Sequence, residues 1–79
     1  LDKSKEISRG NAAKRILEDE LYVEAFATVR EALIQRMVDT DPMETDEVMK
    51  AHLLISSLDL IDGYIRSVMH TGQMAEMDN

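Results

Sequence analysis

The sequence predicts an all-α protein built on an antiparallel αα-hairpin with an additional N-terminal helical segment, and three observations carry that prediction. Apolar residues recur in steps of three and four, β-branched alternation is absent, and one proline with three glycines leaves few places to interrupt a helix. With 79 residues, the chain is expected to form a single small domain over 1–79 that buries only ~60% of the surface exposed by its unfolded form. There is no cysteine, so neither a disulfide framework nor a thiolate metal site reinforces it. Oligomerisation is the remaining common device at this size, here the closing of hairpins into a helical bundle.

The first helix is predicted over about 4–17, with Ile7, Ala12, Ala13, Ile16 and Leu17 as its apolar positions. Residues 1–15 hold Lys3, Lys5, Arg9, Lys14 and Arg15 against Asp2 and Glu6, a local balance of +3 in a chain of net charge −7, which leaves −10 for the rest. An acidic body repels nucleic acid at long range, yet a basic arm can touch a phosphate backbone. Arg9, Lys14 and Arg15 are the candidate nucleic-acid contacts, set against the plainer reading of a solvated helix end.

A second helix is predicted over 20–39. Tyr22, Phe26, Val29, Leu33 and Met37 form one stripe, while Leu17 falls on the opposite side of the same wheel. The phase break coincides with Glu18-Asp19-Glu20, where Asp19 is a candidate N-cap. A kink or short turn is expected there, with one continuous helix as the alternative. The segment from Thr40 to Glu47 is the strong loop signal. Pro42 disfavours helix at Asp41, Asp41 and Glu44 have capping-box spacing, and Thr45 is a second candidate cap.

The last helix is predicted over 45–71, stopping near Gly72 as a C′ residue, with a mobile tail over 73–79. It carries two apolar seams. Ala51, Leu54, Leu58, Ile61, Ile65 and Val68 make one, matched to the Tyr22 stripe across the hairpin; Leu53, Leu60 and Tyr64 make the other. With Val23 and Ile34 on the preceding helix, the second seam is the candidate surface for self-association or a partner. The alternative is a monomer in which 4–17 folds back over it.

Candidate chemistry is sparse. No phosphate loop, nucleophile elbow or zinc-binding His pair occurs, so no enzyme activity, cofactor or metal is expected. His52 and His70 lack a second ligand one turn away and read as surface or cap residues. The acidic residues from Asp39 to Glu47 lack the turn glycine of a calcium loop. Asp62 falls within the apolar arc and needs a partner. Arg66, four residues on, is expected to form a buried, register-fixing ion pair with it, and Arg30 projects from the facing stripe. Gly63 is expected to mark a tight helix crossing or a weak point, and the six methionines to fill gaps and occupy flexible ends.

Ala12-Ala13-Lys14-Arg15-Ile16-Leu17-Glu18-Asp19, Ala25-Phe26, Leu33, Thr40-Asp41-Pro42 before Asp46-Glu47, and Leu58 through Gly72 together resemble small helical proteins encoded by tailed bacteriophages and prophages. The similarity spans most of the chain and consists largely of helix spacing and caps. Glu20 departs from it where a turn residue would follow. It implies a non-enzymatic structural or assembly factor acting through self-association as a dimer or ring, a DNA-packaging accessory, or an acidic inhibitor of a host protein. The partners it implies are other copies, virion proteins or host proteins. No membrane span is expected, and host cytoplasm or virion is the expected location. Leu1 in place of Met is expected of a processed product, a tag remnant or a fragment.

Overall fold

A computed structural model describes residues 2–78. It contains α1 (Lys3–Glu18), α2 (Glu20–Asp39) and α3 (Thr45–Met77), with no strand among the described residues. Asp2 opens α1 by accepting a hydrogen bond from the Ser4 amide at 2.9 Å. Asp19 alone separates α1 from α2. Its ψ of 126° takes the chain out of the helix, and its carboxylate accepts from the Tyr22 amide at 3.0 Å, capping α2. The phase break at Glu18-Asp19-Glu20 is therefore a true helix boundary.

The α2–α3 turn is built differently from either predicted cap. Asp41 accepts from the Met43 amide at 2.9 Å and its carbonyl from the Glu44 amide at 2.8 Å, so its side chain tightens the turn. Glu44 stands at the N-cap of α3 with no side-chain cap bond, and Thr45 is the first helical residue. Asp46 and Glu47 lie in the first turn, where the helix dipole favours them.

α1 and α2 follow one another along α3, both antiparallel to it. The cross-contacts form a ladder: Gly10 meets Gly72, Tyr22 meets Asp62, Arg30 meets Asp59, and Arg36 meets Glu47. α1 covers the C-terminal half of α3 and α2 the N-terminal half, and they meet each other only slightly. The result is an elongated slab of 55 × 25 × 14 Å. Its radius of gyration is 16.8 Å, against about 12 Å for a compact chain of this length.

Three expectations are corrected. The helix does not stop near Gly72, and the stretch from Gln73 is not a loose tail: α3 runs on to Met77. Asn79, the last residue of that predicted tail, lies outside the described residues. Gly72 has no positive φ. It is needed because it packs on Gly10, so closely that a Cβ on Gly72 would lie 2.7 Å from Gly10 Cα and 2.8 Å from the Glu6 carbonyl oxygen. Gly63 is not a crossing point, since a Cβ there would meet nothing within 4 Å.

The inner seam keeps Ala51, Leu58 and Ile65 of the predicted row and shifts by one residue at the positions between them, from Leu54 and Ile61 to Ile55 and Asp62. Val48, Ala51, Ile55, Leu58, Asp62, Ile65, Met69 and Gly72 alternate steps of three and four, and all are buried or half-buried. Ile55 is buried while Leu54 is 47% and Ile61 60% exposed. The facing positions on α1 are Glu6, Gly10, Ala13 and Leu17, and on α2 Tyr22, Phe26, Arg30, Leu33 and Met37. Val29, predicted in the α2 stripe, is exposed in favour of Arg30. The buried apolar residues are Ala13, Ala51, Ile55 and Ala75, and no large side chain among the described residues is fully buried.

Candidate self-association surface

The seam slips because it admits Asp62. Its carboxylate accepts from Tyr22 Oη at 2.8 Å and from Arg66 Nε at 2.6 Å, so both oxygens are bound. Only 15% of the Asp62 side chain stays exposed, against 55% of Arg66, making this a pair with one covered partner and one wet one. Burial pushes the Asp62 carboxyl up, but the hydrogen bonds from Arg66 and Tyr22 and the guanidinium charge outweigh it and hold the group below its ordinary range. Burial and the bond to Asp62 raise the Tyr22 phenol against the opposing pull of Arg66.

One turn away, Arg30 forms a fork on Asp59, with Nε at 2.9 Å from one oxygen and Nη2 at 3.1 Å from the other. That hydrogen bond lowers the Asp59 carboxyl, and burial opposes it only in part. Arg30 thus serves Asp59 and leaves Asp62 to Tyr22, a partner that helix spacing within α3 does not reveal. These two sets fix the register of α2 on α3. They turn the apolar side chains of the opposite face of α3 outward.

That outward face carries Leu53 at 58% exposure, Leu60 at 74% and Tyr64 at 64%. Leu54 and Ile61 flank them, and Ser57 in their midst satisfies its hydroxyl on the Leu53 carbonyl at 2.9 Å. An open groove lined by Ser56, Asp59, Leu60, Gly63 and Tyr64 runs beside the row. On α2, Val23 is exposed and Ile34 half-buried. The N-terminal helix does not fold back over Leu53 and Leu60. It lies along the C-terminal half of α3 and reaches this face at its Tyr64 end, where Arg9 Nη2 donates to Tyr64 Oη at 3.3 Å and Lys5, Ala12 and Ile16 stand beside the ring. Together the five α3 side chains present on the order of 500 Å² of apolar surface, comparable to the largest patch on a typical monomer.

The other singled-out residues have simpler surroundings. Lys14 and Arg15 are exposed on α1, and at 100° per residue Arg9, Lys14 and Arg15 are spread around the helix axis without sharing a face. His52 and His70 are exposed. No cluster of three metal-ligating side chains occurs among the described residues, and no helix is long and apolar enough to cross a membrane. No protein-family model, curated protein or solved structure matches the chain.

Proposed function

We propose that this chain is a helical interaction module that acts by self-association, a second copy closing over Leu53, Leu54, Leu60, Ile61 and Tyr64 to complete a four-helix core. The observation that carries the reading is surplus surface. The chain exposes 6083 Å², whereas a compact monomer of 9.0 kDa exposes about 4,900 Å². The difference of about 1,200 Å² exceeds the ~800 Å² that each partner contributes to a standard interface. A helix with two apolar faces, one of which α1 and α2 together cover, needs a further neighbour for the other. In keeping with the phage resemblance, the module acts as a structural or assembly factor rather than as a catalyst.

The test is native mass or light scattering of the wild type beside a Leu53→Glu, Leu60→Glu double variant. The wild type is expected at twice the chain mass and the variant at once, since two carboxylates on each copy would be forced into an apolar contact. A wild type that stays monomeric at high micromolar concentration sinks the proposal.

A further inference from the structure

The geometry points to one orientation for that second copy: an antiparallel twofold dimer in which the basic α1 end of each chain lies against the acidic turn of the other. The inference rests on the self-association reading and adds the arrangement. Its basis is a charge division along the long axis. Residues 2–17 and 64–78 form one end and hold six basic against four acidic side chains, a balance of +2. Residues 18–63 hold three basic against twelve acidic, a balance of −9.

At the acidic tip, Asp39, Asp41, Glu44, Asp46 and Glu47 cluster with no basic residue between them in sequence. Glu47 is engaged by Arg36 and Lys50, while Asp41, Glu44 and Asp46 make no ion pair among the described residues. At the far end the same is true of Lys3, Lys5, Lys14 and Arg15. Opposite unpaired charges thus occupy opposite ends of a 55 Å molecule.

The apolar face sits so that a twofold axis can join them. It runs from Leu53 to Tyr64, centred near Ser57. A twofold through Ser57 sets Thr45 of one copy opposite Met69 of the other and carries the turn preceding Thr45 to the level of Gly72. Gly10 packs on Gly72, so that level belongs to α1 and its lysines and arginines. A parallel dimer built on the same face would instead stack two acidic tips on each other, and like charges in register select against it.

With no cysteine in the chain, a Met43→Cys variant offers one attachment point for a spin label, on an exposed turn residue. Pulsed dipolar spectroscopy on the labelled dimer is expected to give about 40 Å between the two labels, from 12 residues of helical rise on each side of the axis plus the turn beyond Thr45. A separation under about 25 Å in a sample that light scattering shows to be dimeric overturns the antiparallel arrangement while leaving self-association standing. A monomeric sample overturns both. As a second arm, Lys14→Glu with Arg15→Glu is expected to raise the dimer dissociation constant at least tenfold at low salt, with the gap closing toward 0.5 M salt as screening shortens to a few Å. An unchanged constant at low salt also overturns the charge pairing.

Discussion

Replacing each of two glycines of α3 by alanine should move stability in opposite directions, although both substitutions add the same methyl group to the same helix. In an exposed helix interior the exchange gains ~1 kcal/mol, because glycine loses more backbone freedom on folding than alanine. Gly63 has open space where its Cβ would go, so Gly63→Ala is expected to stabilise by about 1 kcal/mol. At Gly72 the new carbon would stand 2.7 Å from Gly10 Cα and 2.8 Å from the Glu6 carbonyl oxygen, where ~3.5–4.0 Å is the comfortable separation of carbon atoms. Both obstacles are backbone, which no rotamer change can move aside. α1 must then lift from α3 by most of an ångström, forfeiting a quarter to a half of each contact along that line.

Overpacking of this kind costs ~1–3 kcal/mol, and the rigid neighbours put Gly72→Ala in the upper part of that range. After the propensity gain, a net loss of about 1–2 kcal/mol remains. The two variants should therefore differ by about 2–3 kcal/mol, on the order of 10–20 °C in Tm for a domain of this size. Thermal and urea unfolding followed by circular dichroism at 222 nm, at one fixed protein concentration, reads the difference directly. Equal stabilisation by both alanines would refute the Gly10–Gly72 contact and with it the seating of α1.

Two further outcomes follow from the polar pins. Tyr22→Phe removes the phenol that donates to Asp62 and leaves Arg66 in place; a loss of about 1 kcal/mol is expected in urea unfolding, and no loss would show that the bond does not hold α2 on α3. Asp59 and Asp62 are both held below their ordinary carboxyl values, so the ionised form is favoured by folding. Their contribution is complete above the unfolded value near 4 and disappears as pH falls through the lower folded values. Urea midpoints from pH 7 to 2.5 should accordingly show the wild type converging on an Asp59→Asn, Asp62→Asn variant as the solution is acidified. A gap that stays constant over that interval would contradict the assignment.

Much of this architecture is legible in the residues because it depends on local chemistry. Asp19 sits at the point where the apolar stripe changes phase, and a carboxylate there both ends one helix and caps the next. Pro42 and the acidic residues after it mark the turn with the same clarity. The seam of α3 is less legible because a polar residue occupies it. Counting apolar side chains alone selects Leu54 and Ile61, whereas the buried row runs through Ile55, Asp62 and Gly72, and only the tyrosine and arginine on either side make Asp62 acceptable there. Gly72 illustrates a different limit. A glycine after a long helix reads as a stop when its freedom of φ is considered, but here its value lies in the missing Cβ, which depends on a partner 62 residues earlier. The available signal was the pattern Glu6, Gly10, Ala13, Leu17 on α1, whose small central residues call for equally small ones opposite, as Gly72 and Ala75 supply. Met74, Ala75, Glu76 and Met77 are also good helix formers, which favours the continuation of α3 past that glycine.

The one-residue interruption at Asp19 has a bearing on how this molecule tolerates changes in length. Because α1 and α2 are separate helices laid end to end, each can settle into its own rotation about α3. A residue added beside Asp19 is absorbed in extended chain and leaves both docked faces in place. α3 has no such joint through its 33 residues. One residue added between Leu58 and Ile65 turns everything beyond it by ~100°, presenting the side chain of Thr71 where Gly72 had met Gly10. Variation in length is thus confined to the arm of the hairpin that is already broken, and the unbroken helix acts as the fixed ruler against which the other two are set.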